Sequence, residues 1–548
     1  MTPRSSDTDA CPGALRLHAA ADGMLARVRL PGGMLSGAQL RSLRELAEEF
    51  GDGCLELTSR ANLQLRALRP GDAPALAARL RSAGLLPSPT HDNVRNIAAP
   101  PLPGSLLRAL VGRLDLAIQA DATLAALPGK FLFAIGQVPL ASDVAAVPVP
   151  PSTVVPCPPA ASAVDGPFVI RLGGHDTGLR AGYDDVVPTM VAAAHAFLAE
   201  RAEQRSGSAA AWRLRELIDG PARITARLAA TLGVPPDPVT VTPGVTIVPV
   251  DVAVPVEAPE PGDLIGVLPQ EDGLAAVAAL VPLGRLDGVP MRVLEAAELL
   301  VVTPWRGVVV ADLPPAAAPA WADRLAGAGL AVAPGSPWSG VTACAGRPGC
   351  AKSLSDVRAD ATAAARFVDG LPVHWVGCAR ACGSPAGAHV RAEATTDGYL
   401  ITRHPAGGGE PGVHVATAVR AGSASGRRAP SGDSGLIGPS TPAARPPMIG
   451  VSAPVTAATA PEDTATPARP GGAAMDRPED RTAPAQPEDV ATPARPGGAA
   501  VDRPEDRTAP TRPEEVATPA RPGGAAVAWP GDAAASGLED VIAVARRL

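Results

Sequence analysis

Apolar residues at Leu40, Leu43, Leu46, Ala47 and Phe50 recur with the 3.6-residue period of a helix buried along one face. Ser36 is placed to cap its start and Gly51 to stop it. A strand and a turn precede this helix, and extended runs follow. Read as one strand, 57–66 alternates: Leu57, Ala61, Leu63 and Leu65 face one side, and Thr58, Arg60, Asn62, Gln64 and Arg66 the other. The same order returns near 272, as a strand, a loop with Leu286, Asp287 and Gly288, a helix, and paired strands about VVTPWRGVVV. An internal duplication of a β-α-β unit of α+β type accounts for both stretches. Chance likeness between two Ala- and Leu-rich stretches is the plain alternative.

The pattern ends near Arg420. Beyond it, ATPARPGGAA recurs at 465, 491 and 517, a period of 26 residues with several prolines and almost no large apolar side chain per unit. Such units bury too little surface to offset their ordering entropy, so 420 to about 535 is expected to be a disordered tail. The last residues, SGLEDVIAVARRL, return to helical spacing, giving either a docking helix or a lone amphipathic end.

Composition narrows the class. At 548 residues and 46% hydrophobic content the chain has room for several domains with real cores. A net charge of -7 argues against a general nucleic-acid binder. No apolar run is long enough to cross a bilayer, so a cytoplasmic protein with no membrane partner is expected. Seven cysteines in so long a chain do not read as a secreted disulfide framework, which leaves reduced thiols free for metal.

Four of those thiols lie within 39 residues, as Cys344-x5-Cys350 and Cys378-x3-Cys382 in Gly-rich loops. A [4Fe-4S] cube takes one thiolate per iron, and two such pairs supply four. Zinc prefers pairs two to four residues apart, which suits the second pair and fits the first poorly. Four unrelated buried cysteines is the remaining alternative. Elsewhere, the row of Arg60, Gln64 and Arg66 could line a pocket for a polyanion or be a solvated sheet face. A loop adds Asn93, Arg95 and Asn96. Lysine occurs only at Lys130 and Lys352 among 48 Lys and Arg residues, and both fall in motif-like segments.

Taken in order, LTSRANLQLR, DNVRNI, LPGKF and the two cysteine pairs resemble the sulfite and nitrite reductase superfamily, in which a [4Fe-4S] cluster sits beside a tetrapyrrole. ACAGRPGC, TPWRGV and the single duplicated unit are most similar to the precorrin-3B synthases of aerobic cobalamin biosynthesis. The resemblance covers roughly residues 14 to 418. It implies that Cys344, Cys350, Cys378 and Cys382 ligate the cluster; in the sirohaem reductases the thiolate matching Cys382 also bridges to the haem iron. Arg60, Arg95 and Lys130 match basic residues that contact the oxyanion or the macrocycle carboxylates. One departure is Leu132, where the reductases tend to carry a second lysine. Losing that cation implies that the tetrapyrrole is substrate and not cofactor.

The activity so implied is a monooxygenase acting on precorrin-3A with O2 and an external reductant such as NADH, hydroxylating C20 with lactone formation. Arg60, Gln64, Arg66, Asn93, Arg95, Lys130 and Arg306 would hold the substrate carboxylates. A further mononuclear non-haem iron is implied, but its ligands and the catalytic residues are not legible, and His374 and His389 read as structural. The electron donor is unidentified. A sirohaem-dependent sulfite or nitrite reductase is one alternative. A non-enzymatic metal-binding or sensing module, whose tail binds another protein, is another.

The expected architecture is α+β: duplicated ferredoxin-like half-domains at 14–70 and 262–312, with sulfite/nitrite reductase-type α/β domains. These comprise a first reductase-like domain at 71–210, a connecting segment at 211–261, a cluster-binding domain at 313–418, and the tail at 419–548 with its terminal helix.

Overall fold

A computed structural model describes residues 12–102, 104–149, 168–206, 210–232, 245–247, 264–270, 272–385, 387–405, 414–419 and 537–547. The 26-residue repeats lie outside them. No described helix is long and apolar enough to cross a membrane.

The first half-domain contains β1 (His18–Ala20), β2 (Gly23–Val28), β3 (Met34–Leu35), α1 (Gly37–Phe50), β4 (Leu55–Leu57), β5 (Leu63–Leu68) and α2 (Ala73–Ser82). Ser36 caps α1 as expected: its hydroxyl accepts the Gln39 N–H while the Gln39 side chain accepts the Ser36 N–H. Leu40, Leu43, Leu46 and Ala47 are buried, and Phe50 packs at their margin. The half-domain extends past residue 70, because Leu76, Ala77 and Leu80 of α2 complete the same core.

A six-stranded body follows, with β6 (Ile97–Ala98), α3 (Ser105–Ala120), β7 (Phe133–Ile135), β8 (Val144–Pro148), β9 (Phe168–Leu172), β10 (His175–Ala181), α4 (Tyr183–Glu203), α5 (Gly220–Leu232) and β11 (Val245–Ile247). Its strand order is β11-β10-β9-β8-β7-β6. Expected to end at 210, it runs on to 247, because Ile224 and Leu228 of α5 share its core and β11 pairs with β10.

The second half-domain repeats the first: β12 (Gly266–Pro269), β13 (Ala275–Leu280), β14 (Arg285–Leu286), α6 (Gly288–Leu294), β15 (Leu299–Val302), β16 (Gly307–Leu313) and α7 (Ala318–Gly327). Trp321 and Leu325 of α7 are in the shared core, so this half also outruns its expected end at 312. The duplication reaches the backbone. Thr58 N–H bonds the Asn62 carbonyl at 2.9 Å, and Thr303 N–H bonds the Gly307 carbonyl at 2.9 Å. Ala61 and Arg306 both sit at positive φ, 56° and 62°, as do Ala67 and Asp312 at 56° and 58°.

This turn corrects the single polar row expected over 57–66. Thr58–Asn62 is a tight reversal, closed further by Thr58 Oγ1 accepting the Asn62 N–H at 3.0 Å, so Arg60 stands on the turn and not in line with Gln64 and Arg66.

The two halves exchange edge strands. The sheets are ordered β1-β2-β5-β4-β14 and β12-β13-β16-β15-β3, so each takes its last strand from the other half. At this seam Gly37 donates its N–H to the Ala297 carbonyl at 3.0 Å, and a Cβ on Gly37 would stand 2.2 Å from the Glu295 carbonyl oxygen.

The last sheet comprises β17 (Val341–Ala343), β18 (Val373–Val376), β19 (His389–Ala394), β20 (Gly398–His404) and β21 (His414–Val419), with α8 (Val357–Ala363) between the first two strands. Terminal helix α9 (Leu538–Arg547) docks on it: Val541, Ile542 and Ala545 join Trp375, Tyr399 and Ile401 in one core. The buried Arg546 guanidinium donates to the Leu371 and Ser339 carbonyls at 2.6 and 3.1 Å. Of the two expectations for the chain's end, docking is the one realised.

Candidate functional site

β17, β18 and β19 are parallel, and the register pairs Thr342 with His374 and Ala343 with Trp375. Cys344 directly follows β17 and Cys378 follows β18 two residues on, so both cysteine pairs leave the sheet at the carboxyl ends of adjacent parallel strands. Ligand sites of open α/β sheets form at that edge. Cys344 N–H bonds the Trp375 carbonyl at 2.9 Å, and Leu354 N–H bonds the Gly377 carbonyl at 2.8 Å, tying the two loops together.

The four thiols are unbridged; Cys344, Cys350 and Cys378 are half-buried and Cys382 is exposed. The Gly377 N–H points at Cys344 Sγ, 3.4 Å away. Partial burial pushes the Cys382 thiol up in pKa, Arg380 opposes this, and Cys344, Cys378 and Cys350 add to the rise, so Cys382 lies within electrostatic reach of the other three. Among the described residues no three His, Cys, Asp or Glu side chains are gathered at the spacing of a single metal ion. Four thiols in two converging loops, with a backbone N–H on one sulfur, are a donor set of the number a [4Fe-4S] cluster takes.

His374, one of the two histidines flanking the second pair, is buried and bridges the loops. Burial, and then the Arg306 charge, lower its pKa to about 3, so the ring is neutral. Its Nε2–H donates to the Cys382 carbonyl at 3.0 Å, and Nδ1 lies 2.8 Å from the Thr342 hydroxyl, which donates to it.

The candidate carboxylate-binding residues fall into two groups. Arg66 and Arg306 come to the cysteine loops. Arg66 grips Asp22 through two bonds of 2.9 Å and donates to the Gly349 carbonyl at 2.8 Å. Arg306 is half-buried and donates to the Ala343 carbonyl at 3.1 Å. Burial, then the Arg358 charge, pull its pKa below the ordinary guanidinium value, while Glu56 and Cys344 oppose. Gln64 accepts from Arg27 and lies 3.4 Å from Glu56, and Arg60 is half-buried on its turn. Asn93, Arg95 and Lys130 are held by the six-stranded body. Arg95 makes two bonds of 2.7 and 2.8 Å to Asp115, Lys130 Nζ sits 5.0 Å from the centre of the Trp212 ring, and Asn93 Oδ1 is buried without a hydrogen-bond partner among the described residues. Leu132 is buried at 2% exposure, its N–H donating to Asp143.

The sequence reading missed Asp22, Glu56 and Arg358. Glu56 lies 2.7 Å from Arg358 and 3.7 Å from Arg66, linking the first half-domain to α8. An acid in the middle of the apolar strand LEL was the available signal.

Comparison with known proteins agrees with this arrangement. Residues 18–83 match the family described as Nitrite/Sulfite reductase ferredoxin-like half domain. A ferredoxin–nitrite reductase of Synechococcus elongatus is 27% identical over 423 residues, spanning 69% of this chain and 78% of that protein. A precorrin-3B synthase of a Sinorhizobium species is 26% identical over 439 residues, spanning 76% and 86%. These likenesses support placing the chain in the sulfite and nitrite reductase superfamily. Its fold is also similar to that of the NirA protein of Mycobacterium tuberculosis, with a TM-score of 0.54 at 21% identity over 72% of this chain and 77% of that one. The match to 18–83 independently places α2 within the first half-domain.

Proposed function

We propose that this superfamily member is a [4Fe-4S] oxidoreductase acting on a tetrapyrrole, as a precorrin-3B synthase. The reaction consumes precorrin-3A, O2, NADH and a proton. One oxygen atom enters at C20, with lactone closure from the ring A acetate, and the other leaves as water with NAD+.

The observation that carries this reading is Leu132. Where a reductase delivering charge to an oxyanion benefits from a second cation, this chain turns an apolar side chain into its core, 2% exposed. Support comes from the synthase likeness, which spans more of both chains than the Synechococcus likeness does. Cys344, Cys350, Cys378 and Cys382 would hold the cluster, which when bound supplies single-electron transfer from the reductant. The protein's own part is to orient and to shield. Gly377 N–H stabilises charge on Cys344, and neutral His374 fixes the Cys382 loop through its carbonyl. Lys130 and Arg60 keep their assignment as contacts for the substrate's carboxylates. Arg95 would join them only by sharing its guanidinium with Asp115.

A sirohaem-dependent nitrite reductase is the second reading, favoured by the comparable 27% identity to the Synechococcus enzyme. An optical and EPR spectrum of the protein purified without oxygen, with iron and zinc counted, separates them. Cluster signals without haem bands, followed by a precorrin-3A product carrying one atom from labelled dioxygen, are expected. Sirohaem bands would sink the synthase reading, and zinc without iron would sink both.

A further inference from the structure

The half-domains do more than flank the cysteine sheet. Arg306, on the β15–β16 turn, places Nη1 3.1 Å from the Ala343 carbonyl, one residue before Cys344. Its Nη2 lies against Gly383, where a Cβ would come within 2.8 Å, one residue after Cys382. A single guanidinium from the second half therefore touches both cysteine loops. From the first half, Arg66 reaches the Gly349 carbonyl, one residue before Cys350, while its other bonds go to Asp22.

The charges differ between the two arginines. Arg66 is matched by Asp22, and Arg358 by Glu56. Among the described residues Arg306 has no carboxylate within ion-pair distance, and the Arg358 charge stands near it. A half-buried guanidinium is stabilised by a nearby anion; Glu56 is already engaged by Arg358 at 2.7 Å, which leaves the Cys344 thiolate as the nearby anion not otherwise paired.

We propose that Arg306 is a positioning residue for the thiol site, spanning the Cys344 and Cys382 loops and balancing thiolate charge, with Arg66 bracing the Cys350 end. Each half-domain thus contributes one arginine to hold the cysteines, which differs from the carboxylate-clamp role expected of both. The inference rests on the cluster reading above.

The test uses the full chain, purified anaerobically, as wild type, Arg306→Lys, Arg306→Gln, Arg66→Lys and the surface control Arg113→Ala. Iron and sulfide per chain, iron loss to a chelator, the EPR spectrum and the cluster midpoint potential are read on each. Arg306→Gln should lose iron roughly ten- to a hundredfold faster, the usual effect of removing a group that orients ligands, and should show a lower midpoint potential because a cation near the cluster favours its reduced, more negative form. Arg306→Lys should keep the potential close to wild type and still lose iron faster, since an ammonium cannot span two loops. If Arg306→Gln does not fold, the lysine variant carries the test. Variants matching wild type in potential and iron loss overturn this inference alone. A wild-type chain without iron overturns the cluster reading and the inference with it.

Discussion

Leu35 of the first half lies opposite Leu300 of the second, and Leu286 lies opposite Leu55, so each five-stranded sheet is completed by the other half's strand. The tight point of that exchange is Gly37, whose Cα faces the Glu295 carbonyl. Gly37→Ala should destabilise the protein by about 1–3 kcal/mol through overpacking. Thermal unfolding should show both halves melting together at a lower temperature; two separate transitions would contradict a shared core.

Serine at any one of Cys344, Cys350, Cys378 or Cys382 should strip most iron from the anaerobically purified chain, because oxygen is a poor substitute for thiolate sulfur at a cluster. Cys54→Ser, at a thiol packed beside Arg285, should leave iron content unchanged. Iron and sulfide analysis decides it.

Ile542→Asp should detach α9 by setting a carboxylate against Trp375 and Tyr399, at a cost of about 3 kcal/mol or more. Hydrogen exchange in β19 and β20 should quicken sharply, and tryptophan emission should shift to the red. Unchanged exchange would mean that the helix contributes nothing to the sheet.

Acid should reveal the Glu200 network. Burial pushes this carboxyl up, but hydrogen bonds from Arg223, Arg227 and Gln204 outweigh it and hold the pKa at about 2, against an ordinary 4.5. A depressed carboxyl contributes stability that is fully present above about pH 4.5 and is lost as pH falls toward 2. Urea unfolding across that window should show the loss, and Glu200→Gln should flatten it.

Much of this was legible in the sequence because it is local. The α1 face, its Ser36 cap, the recurrence near 272 and the helical spacing of the last residues all depend on neighbours within a few positions. The cysteine pairs were legible as pairs, although their convergence depends on β17 and β18 lying parallel, with a helix between them. What escaped was set by distance along the chain or by a turn. Arg66 looked like one of a row of free cations; its partners are Asp22, 44 residues away, and Gly349, 283 residues away. Arg60 was displaced from that row by a reversal whose signal, Thr58 bonding Asn62, is indistinguishable from strand continuation in composition alone.

The placement of α9 also sets an order of events during synthesis. The sheet that carries the cysteines lacks its covering helix until the ribosome has added residues 538–547, more than a hundred residues after β21 has emerged. Through that interval Trp375 and Tyr399 have no Ile542 to pack against. The thiol loops are thus presented by a nascent sheet whose core is covered by α8 but not yet by α9, and metal loading before release would meet a softer site than the finished chain provides.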